Sequence, residues 1–174
     1  SLLLMMTSFT KIFVVLALTR NALGLQGVPP NPVLAGLALF LSIFIMAPVL
    51  GDVNAVAVTP YLDGDTDFAG ALEAAQGPLR EFMAAGLPNP ESPETVAMQT
   101  LIPAFMLSEL RAAFIIGFVV FVPFLVIDLV VASALMSMGM MMLPPSMISL
   151  PFKILLFVLV DGWGLIITQL VGSY

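Results

Sequence analysis

Gly139-Met140-Met141-Met142-Leu143-Pro144-Pro145 lies between two long apolar runs and decides how they are joined. Gly139 frees the backbone ahead of the methionines, and the Pro144-Pro145 pair stops a helix from running straight through. The stretch therefore reads as the tip of a hairpin between two hydrophobic helices. Six of the chain's twelve methionines fall between Met136 and Met147. Thioether side chains are unbranched and polarizable, so they fill gaps of variable shape. Spread through an apolar bundle, they would be ordinary gap-fillers. Concentrated at a turn, where packing demands are lowest, Met140, Met141 and Met142 read as a soft constriction. A ring of such tips would close a pore and still deform around something passing through.

Outward from the tip, the two arms carry charges at matching distance. Asp128 lies 13 residues before Met141, and Lys153 lies 12 after it. At ~1.5 Å of rise per residue, two helices leaving one turn bring them to nearly the same height. An acid and a base at one level in a low-dielectric setting should pair, either within one hairpin or between neighbouring copies. An ionisable group at the centre of a membrane helix costs about 2.5–3.5 kcal/mol on insertion scales, so charges held in apolar runs call for a reason. Glu109, Arg111 and Asp161 belong to the same class. Asp161, in Val160-Asp161-Gly162-Trp163-Gly164, could cap a helix, bond backbone or serve an ion path; a lone acid makes no relay, which favours the structural role.

The arms themselves are long. Leu101 to Met138 is too long for one simple span, and Pro103, Gly117, Pro123 and the Glu109/Arg111 pair predict two helices or one bent helix. Phe152 to Val171 forms the opposite arm. Towards the N-terminus, Leu2–Leu18 and Val33–Leu50 are two further apolar runs, joined by a loop at Thr19–Pro32 rich in Gly and Pro. The short loop predicts a second antiparallel helical hairpin. Hydropathy alone would place four membrane helices in two hairpins.

Between the hairpins the composition changes. From Asp52 to Thr100 there are eight acids and one base, Arg80. Tyr61–Asp67 is turn-like, and apolar residues at Phe68, Ala71, Leu72, Ala75, Leu79 and Phe82 predict a helix kinked at Gly77-Pro78. Residues 87–94 hold three prolines and read as a loop. Asp63, Asp65 and Asp67 have the spacing of a calcium loop. Phe68 and Ala74 stand where that pattern wants Gly and Glu, so an ordinary acidic turn is expected. The organisation is thus all-α: a first hydrophobic hairpin (1–50), an acidic, aqueous-facing helical insert on the periplasmic side (51–100) and a second hydrophobic hairpin with the methionine turn (101–174). Arg20 in the short loop and the acidic middle orient that insert outward.

Composition bounds the function. With 60% hydrophobic and 9% charged residues, against ~25% charged in soluble domains, and a mean hydropathy of +1.13, the chain belongs in a membrane or a large apolar assembly. Cysteine and histidine are absent, which removes disulfides, the usual zinc ligand sets and any Ser-His-Asp or Cys-His catalytic unit. No basic stripe offers a nucleic-acid surface. Asp128 and Asp161 lack the flanking pattern of an intramembrane aspartyl protease. A small ion or solute transporter using Asp128, Lys153 and Asp161 is the main alternative to a pore, although the two hairpins show no internal repeat.

Particular motifs carry a resemblance. Arg20-Asn21-Ala22-Leu23-Gly24, Pro29-Pro30-Asn31 and Gly36-Leu37-Ala38-Leu39-Phe40 match a first hairpin. Ser108-Glu109-Leu110, residues 118–130 (FVVFVPFLVIDLV), Gly139-Met140-Met141-Met142, Leu150-Pro151-Phe152-Lys153 and Val160-Asp161-Gly162-Trp163 match a second. In this order, over nearly the whole chain, they resemble the FliP/SctR family, the major subunit of the type III export gate of flagella and injectisomes. Met142-Leu143-Pro144-Pro145 and Val160–Trp163 are closer to the flagellar branch; Gly24-Leu25-Gln26 is common in the injectisome branch too.

The resemblance implies a non-enzymatic, cofactor-free and metal-free homopentamer with FliQ-like and FliR-like subunits, next to a FlhB-like subunit and the basal-body ring in the bacterial inner membrane. Unfolded secreted proteins would be its cargo. It implies a gasket at Met140, Met141 and Met142, an intersubunit bridge at Asp128 and Lys153, and oligomerisation positions at Glu109, Phe68 and Phe82. It further implies that the apolar helices pack largely within the assembly, raised out of the bilayer plane, which replaces the four-span expectation. Family members carry an N-terminal signal and a longer first hydrophobic segment, so a chain opening on Ser1-Leu2-Leu3-Leu4 is expected to be a truncated form. The segment after Phe82 is shorter than in the family.

Overall fold

The computed structural model of the chain describes residues 2–89, 96–140 and 142–174, and among them every regular element is helical. In order these are α1 (Leu2–Met5), α2 (Phe9–Ala22), α3 (Asn31–Val53), α4 (Thr59–Asp63), α5 (Phe68–Ala85), α6 (Met98–Ser137), α7 (Pro145–Leu159) and α8 (Gly162–Gly172). A π-helical stretch, Asn54–Val58, joins α3 to α4 without a break.

Two elements differ from the expectation, and a third decides between its two alternatives. The second apolar run does not stop near Leu50 but continues as helix to Asp63. Its widened π turn lies directly before Pro60, whose ring would otherwise meet the carbonyl four residues earlier. The third run is one 40-residue helix, α6, with Pro103 and Pro123 inside it. Each proline removes one backbone donor, and neither ends the helix. At ~1.5 Å per residue α6 is about 60 Å long, twice the ~30 Å hydrocarbon thickness of a bilayer. The fourth run is broken, because α7 and α8 meet at a 59° bend. By length and composition two helical stretches, Asn31–Asp63 and Met98–Ser137, can cross a membrane, with a third if the bent pair counts as one span.

The chain forms two compact units, whose boundary falls within α2, α3 and α6. The first comprises Ser1–Lys11 and Leu39–Ala112. Here α5 packs against the π stretch, with the small residues Ala57 and Ala71 buried. The turn before α5 is closed by Gly64 in the left-handed region (φ 82°) and by Asp67, whose carboxylate accepts the Gly70 N–H at 2.8 Å. Asp67 is thus a helix cap, as an acidic turn would have it. Met6, Met83, Leu101 and Phe105 form the buried core. Arg80 donates to the Val96 carbonyl at 2.8 Å, and Ser108 to the Gly86 carbonyl at 2.7 Å, which ties the end of α5 to the start of α6. Most of the predicted 87–94 loop lies outside the described residues.

The second unit comprises Ile12–Ala38 and Ala113–Tyr174. Gly117 of α6 lets α2 approach closely, since a Cβ there would lie 2.3 Å from Leu18 Cδ1. The α2–α3 loop is held by Arg20, which donates to the Pro29 carbonyl (3.1 Å) and to Asn31 Oδ1 (2.6 Å). The α6–α7 hairpin follows.

Candidate functional site

The hairpin tip is built by its flanking residues. α6 ends in a Schellman arrangement: the Gly139 N–H donates to the Met136 carbonyl (3.1 Å) and the Met140 N–H to the Leu135 carbonyl (3.0 Å). That closure needs a left-handed residue, and Gly139 supplies it with φ 74°. Pro144 then caps α7 in extended conformation, and Pro145 occupies its first turn, where its missing N–H costs nothing. Between these stops Met140 and Met142 have no core to enter. Met142 is 99% exposed, Met140 is 46% exposed, and Met136, Met138 and Met147 stand out beside them. Met141 lies outside the described residues. By contrast, Met6, Met46 and Met83 are buried.

Behind the tip, α6 and α7 are tied by charge. Lys153 Nζ lies 2.5 Å from Asp128 Oδ2 within the same chain, and Ser149 Oγ donates to Asp128 Oδ1. Ser149 and Lys153 are four residues apart on α7, so both face α6 together. The surroundings are uneven. Ser149 and Lys153 are buried, and Gly24 of the α2–α3 loop closes over the lysine, its Cβ position 3.8 Å from Nζ. The Asp128 side chain stays 35% exposed. Height matching along the two arms had pointed to this pair, and the structure brings its two members together inside one hairpin.

Glu109, Phe68 and Phe82 belong to the first unit. Glu109 is buried on α6 and pairs with Lys11 of α2 at 3.4 Å, both side chains 4% exposed. Around them Ser8 bonds Ser42 at 3.1 Å and Thr10 contacts Met106 Sδ at 3.7 Å. Lys11 lies outside both membrane-length stretches; burial pushes its ammonium below the ordinary lysine range, and Glu109 acts in the opposite sense. Sequence reasoning missed Lys11, which lies inside the first apolar run. The available signal was its cost, because a lysine inside such a run needs an acid. Phe82 packs on the core and meets Phe105 edge-on at 5.7 Å. Phe68 is exposed, edge-on to Tyr61 at 6.3 Å.

Asp161 marks the α7–α8 bend. It adopts the left-handed conformation (φ 50°, ψ 55°) ahead of α8, and its side chain makes no capping bond. Its backbone carbonyl does accept the Leu165 N–H at 3.0 Å.

The apolar surface of α6 asks for a cover. In the most apolar window of α6 only 11% is buried within the chain, so lipid or other subunits must enclose the rest.

Comparison with known proteins gives one consistent result. The FliP family profile matches residues 1–170. A flagellar biosynthetic protein FliP of Bacillus subtilis (strain 168) is 51% identical over 99% of this chain and 85% of its own length. Proteins of the same name from Pectobacterium carotovorum subsp. carotovorum and Treponema pallidum (strain Nichols) are 52% and 48% identical. They align with 99% and 100% of this chain, and with 72% and 70% of their own lengths. On this match, which runs through both hairpins and the methionine turn, the chain belongs to the FliP family.

Proposed function

We propose that this protein is a component of the flagellar export apparatus and, within it, a pore-forming subunit of the type III export gate. Five copies assemble with FliQ-like and FliR-like subunits in the bacterial inner membrane, next to a FlhB-like subunit and the basal-body ring. Unfolded proteins pass through the centre. The observation that carries this reading is the α6–α7 tip, where Met142 is almost fully exposed and Met140 half-exposed in an otherwise membrane-compatible chain. Met140, Met141 and Met142 of each copy meet around the axis as a deformable seal.

Asp128 and Lys153 hold the tip in register. Asp128, the more exposed member, is the group that reaches a neighbouring copy and carries the bridge between subunits. Phe68 offers a direct apolar contact to the next copy, whereas Glu109 and Phe82 support oligomerisation by holding the first unit in shape. No cofactor or catalytic step enters.

A native mass measurement on the complex purified from membranes tests the assembly. The expected result is a mixed complex with several copies of this chain. A lone chain would overturn the gate and return the transporter alternative.

A further inference from the structure

The α7–α8 bend holds a feature that the pore does not use. Beside it a cavity of about 280 Å³ opens in the second unit, walled by Leu23 and Leu25 after α2, Ile154 and Phe157 of α7 and Trp163 of α8. Asp161 is its one charged lining residue, and that carboxylate is exposed and makes no hydrogen bond or ion pair among the described residues.

The backbone at the bend is closely constrained. Asp161 sits in a left-handed conformation that aspartate tolerates better than most residues. Its carboxylate lies directly over Gly164, where a Cβ would come within 2.3 Å of Oδ2. Gly162 is pressed against the Phe157 ring, 2.2 Å from the position of an added Cβ. Phe157 in turn meets Trp163 edge-on at 5.2 Å and Phe124 at 6.0 Å. The two glycines therefore make room for one acid beside an aromatic wall.

Such a site has a definite complement. Its volume falls just below the ~300–1,000 Å³ of small-molecule pockets and suits one long side chain. Apolar walls take a methylene stem, the carboxylate takes a cationic head, and the tryptophan face adds a cation–π contact. Four of the chain's five bases are already engaged internally: Lys11 with Glu109, Lys153 with Asp128, Arg20 in its loop and Arg80 on Val96. We propose that this pocket docks a single lysine or arginine side chain presented by a different polypeptide. The inference rests on the reading that the chain works among other subunits, but not on the methionine seal.

The test places a photoreactive benzoylphenylalanine at Val158, a pocket residue that is exposed, in the full chain in its native membrane, and maps the attached residues by mass spectrometry. The expected product joins Val158 to a different protein within a few residues of a lysine or arginine. It falls at least tenfold in Asp161→Asn, which keeps the shape and tolerates the same backbone. It also falls in Gly164→Ala, which retains the charge but pushes the carboxylate aside. Reversing the mapped base to glutamate in an Asp161→Lys background restores it. Emission of Trp163, the single tryptophan, in each purified variant checks that the bend is intact. No product, attachment only to lipid, to a second copy or to a segment without a base, or a product unchanged in Asp161→Asn would each overturn the proposal. The ion leak of the assembled complex is read separately, so failure here and failure of the seal are distinguishable.

Discussion

Two ion pairs of the same chemistry sit in the two units, and their surroundings differ. Lys11 and Glu109 are both 4% exposed, flanked by the buried Ser8–Ser42 bond, so the pair is closed on protein from all sides. Lys153 is equally hidden, but its partner Asp128 keeps a third of its side chain in the open and shares Ser149. A closed pair is weak evidence of net stabilisation, since desolvation offsets most of the attraction, yet breaking it strands a buried charge. An open pair is less costly to disturb and remains reachable from a neighbouring molecule. The first pair therefore shapes the fold, and the second is the one left open to a neighbouring molecule.

The contrast is broken most severely at Glu109. Glu109→Leu leaves Lys11 buried without its acid and should lower stability by about 3–5 kcal/mol, read by chemical denaturation in detergent. Adding Lys11→Met should recover most of it. A single-variant loss below about 1 kcal/mol, the range of exposed pairs, would mean that the site is not closed. Lys153→Met should cost less, about 2–3 kcal/mol, because Asp128 keeps solvent and Ser149. At the same pair, Asp128→Lys or Lys153→Asp alone should reduce the yield of assembled oligomer, and the double exchange should restore it. Without that rescue the two residues have separate roles. Ser149→Ala removes one hydrogen bond to the carboxylate and should cost about 1–1.5 kcal/mol. Met142→Ala should change stability by less than about 0.5 kcal/mol, since the side chain contributes almost nothing to the core. A larger effect would place Met142 in packing rather than at a free tip.

How much of this was legible in the sequence depends on how far apart the partners are. The tip could be read because Gly139 and Pro144-Pro145 act on their own backbone, and Asp128 and Lys153 could be matched because they leave one turn on two arms of equal length. The Lys11–Glu109 pair could not, since α2 and α6 meet only through the tertiary fold and nothing local in the chain measures that distance. The prolines inside the long runs do not mark breaks. Pro103 and Pro123 predict two helices or one bent helix, and α6 runs as one helix through both; the π turn before Pro60 makes room for that ring, so the helix continues there too. The real break, at Asp161, carries no proline. Its cause is a left-handed aspartate whose flanking glycines are needed by Phe157 and by its own carboxylate, contacts that hydropathy does not register.

The seal itself is tested most directly by electrical leak. Complexes carrying Met140→Ala, Met141→Ala and Met142→Ala together, purified intact and placed in planar bilayers in the closed state, should conduct ions that the unaltered complex holds back. Unchanged conductance in a correctly assembled triple variant would contradict a methionine gasket at the α6–α7 tip.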